Sequence, residues 1–204
     1  MMEKQEITKK VCDLYRKYGI KSITMDDAAR HLGISKKTLY QHFSDKTDLV
    51  REAVVKEISQ RQNNLMVLNR ENSNAIEDLL DYYKIQVNLI LDYKPNFVYD
   101  LKKYYPDIYD NYVRIKRERI IESTRKNLEK GKQEGFYRED LNVDIISRLL
   151  LMRIEGMIHS GIFTTEELLS PTVFTELFKY HLYGIVSNKG REYFEKHKDK
   201  LTIR

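Results

Sequence analysis

Apolar residues recur every three or four positions along nearly the whole chain, and strict alternation of apolar and polar residues never persists. Intervals of three and four bring side chains onto one face of an α-helix, whereas alternation is typical of a half-buried strand. The pattern therefore predicts an all-α protein of about nine helices. The first helix has one apolar stripe, and we expect Gly19 to end it as a left-handed cap. The stripe consists of Ile7, Val11, Leu14 and Tyr18.

Capping residues mark the starts of the next three helices. Thr24 precedes an apolar segment and has Asp27 three residues later, which is the spacing of a reciprocal capping box. Ser35 stands before a third short helix, and Ser44 or Asp45 opens a fourth. We therefore expect three short helices followed by a longer one.

Proline and glycine delimit the remaining helices. Pro95 and Pro106 bound a short segment, because proline suits the first turn of a helix and disfavours helix in the residue before it. A highly charged helix should break at Gly131 and Gly135, and Pro171 helps to start the last helix. The long helices predicted after residue 74 cover about 75–93, 107–132, 143–161 and 172–188, and a basic tail follows them.

Composition indicates a soluble, globular chain, since 41% of the residues are hydrophobic and 33% are charged. No run approaches the roughly 18 apolar residues of a membrane-spanning helix, and the N-terminal stretch lacks the apolar segment of a signal peptide. We therefore expect a cytoplasmic protein with no membrane partner. We predict two domains, residues 1–50 and 51–204, with the boundary inside a helix.

Positive charge is concentrated near the N-terminus. The net charge of +5 and the sequence pI of about 9.0 permit an anionic partner without requiring one. Between residues 16 and 46, however, seven Lys or Arg stand against three acids. The excess falls on the segment that carries the most informative motif.

Residues 23–50 have the pattern of a helix-turn-helix. Two short helices are joined by a tight turn at Gly33, where a positive φ is allowed. Ala28 and Ala29 are small, as is required where two helices cross closely. The small core should be sealed by Ile34, Leu39 and Phe43. The second helix is then available to enter the major groove of DNA.

The polar residues of this motif fall into two sets according to the contacts that their chemistry allows. Lysine reaches guanine acceptors, glutamine pairs with adenine, and the threonine methyl meets thymine. The expected base-reading set is Lys36, Lys37, Thr38 and Gln41, and a solvated lysine is the alternative interpretation of Lys37. Hydroxyl, imidazole and ammonium groups and helix N-terminal amides instead bind phosphate oxygens. The expected phosphate set is Thr24, Ser35, Tyr40, His42 and Lys46.

This motif resembles the DNA-binding segment of TetR/AcrR-family transcriptional regulators. The matching residues are Thr24, Ala28-Ala29, Gly33-Ile34-Ser35, Thr38-Leu39-Tyr40, Phe43 and Lys46. Two residues depart from the pattern: Ala28 replaces a larger aliphatic residue, and Lys37 replaces a small one. The resemblance covers about the first fifty residues. It implies a three-helix DNA-binding domain followed by a larger helical ligand-binding and dimerisation domain.

The resemblance also implies a repressor that binds a palindromic operator in double-stranded DNA as a homodimer and is released by a small-molecule effector. A dimer is expected on physical grounds too, because one helix-turn-helix covers too few base pairs to find a genomic site. The last two long helices are more apolar than one core-facing stripe requires, although burial within the monomer would also explain this. The dimerisation candidates are Ile145, Leu149, Met152, Phe174, Leu177, Phe178, His181, Leu182 and Ile185.

Tyrosines of the middle helices are candidates for an effector pocket, because tyrosine offers an apolar wall and a hydroxyl group. Ordinary core or surface positions are the alternative. Arg153 lies in an otherwise apolar helix, so it should form an ion pair, contact an interface, anchor a ligand or reach solvent. The ligand candidates are Tyr82, Tyr99, Tyr105, Tyr109, Tyr112, Arg153 and Met157.

Enzymatic motifs are missing from the sequence, which has no Gly-rich phosphate loop, HExxH or GxSxG pattern. Cys12 is interpreted as a small apolar residue rather than a redox sensor. His159 and His181 have no second ligand at a metal-binding spacing. We therefore expect no enzymatic activity, no cofactor and no metal site. The competing hypothesis is a constitutive DNA-binding or protein-interaction helical module without a small-molecule inducer.

Overall fold

The computed structural model describes residues 2–66, 73–91, 95–168 and 170–201. Within these ranges the chain forms eleven α-helices, a short 3-10 helix and no β-strand, which confirms the all-α class. The helices are α1 (Lys4–Tyr18), α2 (Met25–Leu32), α3 (Lys36–His42), α4 (Lys46–Met66), α5 (Ala75–Leu91), α6 (Pro95–Tyr104), α7 (Pro106–Gln133), α8 (Val143–His159), α9 (Thr165–Leu168), α10 (Pro171–Ile185) and α11 (Asn188–His197). None of the helices in the described ranges is long and apolar enough to cross a membrane.

The described ranges contain two helices more than the predicted number of about nine, namely α9 and α11. Helix α9 is a single turn. Helix α11 replaces the predicted basic tail, because Ser187 caps its start by accepting a hydrogen bond from the amide of Gly190 at 3.1 Å. Phe194 anchors the helix, with only 1% of its surface exposed and its ring 6.3 Å from that of Phe178.

The chain divides into two compact units. Unit 1 comprises Met1–Asn63 and Tyr93–Lys116, and unit 2 comprises Asn64–Asp92 and Arg117–Arg204. Each unit has its own apolar cluster of buried side chains. Unit 1 contains the whole of the helix-turn-helix segment, so the candidate DNA contacts can be described within it.

The core of unit 1 is formed by α1 to α4, α6 and the first part of α7. Helix α1 buries Ile7 and Val11 as expected, but its last inward aromatic residue is Tyr15, not Tyr18. Tyr15 is 1% exposed, whereas Tyr18 is 42% exposed and stacks on His31 at 6.0 Å. Tyr15 lies four residues after Val11, so the buried stripe continues one helical turn along from it.

Local hydrogen bonds at the ends of α2 and α3 confirm the capping predictions. The Thr24 Oγ1 atom accepts from the amide of Asp27 at 3.1 Å, and the Asp27 carboxylate accepts from the amide of Thr24 at 3.1 Å. Ser35 Oγ accepts from the amide of Thr38 at 3.0 Å. Gly33 ends α2 in the left-handed region, with φ 66° and ψ 28°. These contacts fix where the two helices begin and the turn between them.

Two predictions about glycine were wrong. Gly19 ends α1 with φ 84° and ψ 157°, which is a positive φ but not a left-handed cap. Gly131 does not break α7, which continues to Gln133. Packing within unit 2 explains why residue 131 is a glycine, because a Cβ on Gly131 would lie 2.0 Å from the ring of Tyr137. The Tyr137 hydroxyl in turn donates to the carbonyl of Ala75 at 3.0 Å.

Candidate DNA-binding surface

The apolar face of helix α3 packs into the core of unit 1. Leu39 is completely buried and Phe43, immediately after the helix, is 1% exposed. Ile34 is partly buried and packs against the same cluster. Burial of such side chains contributes roughly 1.5–3 kcal/mol each, which holds this short helix in place. The apolar sealing residues predicted from the sequence are therefore in position.

The opposite face of α3 carries the predicted base-reading residues. Lys36, Lys37 and Gln41 are exposed, and Thr38 is half-buried. Lys36 is paired with Asp26 of α2, with 2.9 Å between Nζ and Oδ1, and this hydrogen bond raises the pKa of the lysine. Both side chains are well exposed, so the pair is weak and can be exchanged for a phosphate or a base. Sequence reasoning did not identify Asp26 as the partner.

Lys37 differs from Lys36 in that no carboxylate in the described part of the chain pairs with it. Its ammonium group is therefore available to an anionic partner without breaking an existing contact. Tyr40 lies on the same helix and is 44% exposed. An exposed phenol hydroxyl and an unpaired lysine on one helix are both suited to phosphate oxygens.

The predicted phosphate set is only partly presented to solvent. The hydroxyl groups of Thr24 and Ser35 are exposed but serve as helix caps. Lys46 begins α4 and is half-buried, and this burial lowers its pKa against the opposing effect of nearby Asp100 and Asp27. A phosphate at Lys46 would therefore meet an ammonium group that is already partly desolvated.

His42 is placed differently from the prediction. Its Nε2 atom is buried and has no hydrogen-bond partner among the described residues. The ring lies 6.3 Å from that of Phe43, at the end of α3. In this conformation Nε2 does not face solvent, so a phosphate contact by that nitrogen would require the side chain to turn.

The ligand candidates are distributed over both units. In unit 1, Tyr112 is buried in the apolar cluster, Tyr105 and Tyr109 pack against it, and Tyr99 is 59% exposed. In unit 2, Met157 is buried and Tyr82 is half-buried, and burial raises the pKa of Tyr82 to about 12. Tyr112 therefore has an ordinary core position, which is the alternative to a ligand contact that the sequence left open.

Arg153 occupies a polar cluster within unit 2. Its guanidinium lies 5.3 Å from the ring centre of Tyr180 of α10, and its Nε atom is buried without a hydrogen-bond partner in the described residues. Burial lowers the pKa of Arg153. Burial, together with the charge of Arg153, also lowers the pKa of His181 to about 4. Glu155 does not pair with Arg153, because it binds Arg117 through two hydrogen bonds of 2.6 and 3.0 Å.

The dimerisation candidates separate into exposed and buried groups. Ile145, Leu149 and Met152 of α8 are 50%, 45% and 63% exposed. Those that are half-buried are Phe174, Leu177 and His181. Those that are buried in the core of their own chain are Phe178, Leu182 and Ile185. The interface prediction was wrong for these three, because at most 8% of each is exposed in the single chain.

Exposed aromatic residues on α10 were not among the candidates. Tyr180 is 74% exposed and Tyr183 is 42% exposed. Both follow Leu177 at intervals of three residues, so helical spacing could have indicated them. The tyrosine hydroxyl makes such positions hard to distinguish from a polar surface by sequence alone.

Comparison with known proteins agrees with this geometry. Residues 7–53 match the model of bacterial regulatory proteins of the tetR family. The HTH-type negative transcriptional regulator of the biofilm operon icaADBC in Staphylococcus aureus (strain Newman) is 28% identical over 95 residues, which are 47% of this chain and 50% of that protein.

Two solved structures show the same fold over nearly the whole chain. A TetR-family regulator from Cytophaga hutchinsonii has a TM-score of 0.70 and 17% identity, covering 91% of this chain and 95% of its own. A transcriptional regulator from Saccharomonospora viridis in complex with choline has a TM-score of 0.67 and 19% identity, covering 91% and 98%.

Proposed function

We propose that this chain, whose residues 7–53 match the model of bacterial regulatory proteins of the tetR family, is a DNA-binding regulator of that family. It would repress transcription as a homodimer on a palindromic operator and be released by a small-molecule effector. Operator binding would place it with the chromosome, in the cytoplasm. The first fifty residues would form the DNA-binding domain, and the rest of the chain would dimerise and bind the effector.

The observation that carries the proposal is the two-sided arrangement of α3. Leu39 is fully buried, while Lys37, Gln41 and Tyr40 are exposed on the same seven-residue helix. A short helix held by its apolar face and preceded by a fixed turn at Gly33 can offer its polar face to the major groove. The cationic and hydrogen-bonding groups on that face match phosphate and base edges.

The proposed dimer rests on α8 and α10. Leu149 and Met152 leave a large apolar surface exposed on α8, and Tyr180 and Tyr183 do so on α10. Exposed large apolar and aromatic side chains such as these are enriched in protein–protein interfaces. A second copy of the chain is the proposed occupant, because a palindromic site requires two reading helices related by a two-fold axis.

The proposal also includes repression of transcription and release from DNA by a small-molecule effector. The staphylococcal relative is named as a negative regulator, and the Saccharomonospora structure holds a small organic molecule. In this chain, Arg153 is the proposed anchor, since its buried Nε atom needs an acceptor. An effector that binds better to a DNA-incompetent dimer would lower operator affinity by shifting the population.

Selection from a random duplex library by the full chain tests the proposal. The expected result is enrichment of a two-fold symmetric sequence, bound with a steep dependence on salt. Enrichment of an asymmetric sequence, or of none, would contradict repression from a palindromic operator. A protein that binds duplexes but responds to no small molecule in a library screen would be a constitutive regulator, and one that ignores DNA would be a protein-interaction module.

A further inference from the structure

A cluster of lysine and tyrosine side chains lies on unit 1 outside the helix-turn-helix. We call it the basic-aromatic patch and define it as Lys21, before α2, and Tyr99, Lys103 and Tyr104 of α6. The Lys21 and Lys103 ammonium nitrogens each lie 5.4 Å from the ring centre of Tyr104. Lys103 also donates to the hydroxyl of Tyr99 at 3.2 Å. Tyr99 is 59% exposed and Tyr104 is 39% exposed, so the patch is open to a partner.

The positive charge of the patch is not neutralised. No carboxylate in the described ranges forms an ion pair with Lys21 or Lys103, whereas exposed Lys126 of unit 2 pairs with Glu122 at 3.3 Å. Asp100 is close by, but it is buried and accepts a hydrogen bond from the main-chain amide of Lys21 at 2.8 Å. Two ammonium groups therefore converge on one phenol, and they have hydrogens left to donate.

The neighbourhood of the tyrosine hydroxyl is cationic as well. Hydrogen bonding by Lys21 and the charge of Lys103 lower the pKa of Tyr104. A phenol with a lowered pKa is a stronger hydrogen-bond donor than usual. The patch thus combines two cations with a hydroxyl donor, which is the set of groups that contacts the sugar–phosphate backbone in DNA complexes.

The patch adjoins the candidate DNA contacts of unit 1. Lys21 precedes the cap residue Thr24 by three positions. Asp100 fixes the backbone there, because it accepts from the amide of Lys21 and would lie 2.9 Å from a Cβ on Gly19. The same carboxylate acts on the ammonium group of Lys46 at the start of α4. Asp100 of α6 therefore lies near Lys46, which is predicted to bind phosphate, and Lys21 is close in sequence to Thr24, which is predicted to do the same.

We propose that the basic-aromatic patch binds the sugar–phosphate backbone of duplex DNA beyond the base pairs that α3 reads, so that α6 forms part of the DNA-binding surface. The inference rests on the proposed function and extends its footprint. Phosphates carry no sequence information, so the patch adds affinity and salt dependence without changing base preference. Each phosphate contact adds about 0.9 to the slope of log affinity against log salt.

The test compares two duplexes that contain the same selected site. One duplex ends at the site, and the other extends about ten base pairs beyond it on each side. The full chain is measured as wild type, as Lys21→Gln/Lys103→Gln and as the charge-preserving Lys21→Arg/Lys103→Arg. The matched control is Lys126→Gln/Lys179→Gln, which removes the same charge from two lysines of unit 2 whose side chains are 68% and 41% exposed.

The expected result is that the wild type prefers the longer duplex and that the glutamine variant loses this preference. On the longer duplex at 0.1 M salt, the glutamine variant should bind about tenfold or more weakly, and its salt slope should fall by about 2–4 for a dimer. On the shorter duplex it should remain within about twofold of wild type, as should the arginine variant and the control on both duplexes.

Three results would overturn the inference. The first is a wild type that binds both duplexes equally, and the second is an equal loss in the unit 2 control, since general electrostatic steering would then explain the effect. The third is binding of an acidic protein, instead of the flanking DNA, that depends on Lys21 and Lys103. A wild type that binds neither duplex would refute the proposed function itself, which separates the two failures.

Discussion

Adjacent side chains on α3 have opposite environments. Leu39 is completely buried in unit 1, and Tyr40 next to it is 44% exposed. Leu39 can affect DNA binding only through the stability of the domain, whereas Tyr40 can affect it by direct contact. This difference allows structure and recognition to be separated with two substitutions.

Leu39→Ala should lower the free energy of unfolding by about 2–5 kcal/mol, because it removes a fully buried side chain and leaves a cavity. Tyr40→Ala should change it by less than about 1 kcal/mol but weaken binding to all duplexes similarly. Urea denaturation followed by circular dichroism gives the first quantity, and titration of labelled duplex gives the second. A Tyr40→Ala variant that binds DNA like wild type would remove this residue from the proposed surface.

His181 gives the stability a pH dependence with a defined sign. Burial lowers its pKa from 6.5 to about 4, so between these values the unfolded chain binds a proton that the folded chain does not. The free energy of unfolding should therefore fall as the pH decreases from about 6.5 to 4, and this group should have no effect above that range. Urea midpoints at several pH values should show a shallower decline in His181→Gln than in wild type or in the control His31→Gln, which alters an exposed residue. Equal declines in all three would refute the assignment.

Helices α2 and α3 are defined by their caps more than by their length. Each has at most eight residues, which is too short to be stable in isolation. The Thr24 and Ser35 side chains satisfy amide groups that would otherwise lack partners. The angle at which α3 is presented depends on these few hydrogen bonds and on the turn at Gly33.

Thr24→Ala should lower the free energy of unfolding by about 1 kcal/mol, because it removes the hydrogen bond to the amide of Asp27. Thr24→Ser keeps the capping oxygen and should restore most of the loss. Thermal unfolding of the two variants checks the prediction. If alanine and serine behave alike, the cap is not the source of stability at this position.

These caps could be predicted from the sequence because they depend on residues at most three apart. The same holds for Leu39 and Phe43, whose spacing alone places them on one face. Other features depend on contacts between distant segments and could not be predicted. Gly131 was expected to break α7, but the ring of Tyr137 needs the space where a side chain would be.

The candidate site likewise has some features that a local sequence pattern predicts and others that depend on contacts between distant segments. Its base-reading residues follow from the motif, and the pairing of Lys36 with Asp26 requires the helix crossing to be known. The patch around Tyr104 joins residues 21 and 104, which no local pattern connects. Phe178 was assigned to an interface because an apolar helix looks the same whether its partner is in the same chain or in another.

The proposed homodimer makes a prediction for the entire assembly. Leu149→Glu/Met152→Glu should convert a micromolar dimer to monomer, because two carboxylates would be buried without partners in an apolar interface. The variant should still fold, since both side chains are exposed in the single chain. Val55→Glu, at an exposed apolar position of unit 1, is the matched control and should remain dimeric. Light scattering gives the masses, and a dimeric double variant would exclude this face.

A hydroxyl-radical footprint of the wild-type chain on its selected duplex would examine both reading helices at once. We expect two protected backbone segments related by a two-fold axis and separated by about one helical turn or more, both of which are lost in Tyr40→Ala. A single protected segment, or protection without two-fold symmetry, would contradict a dimer that presents two copies of α3 to one operator.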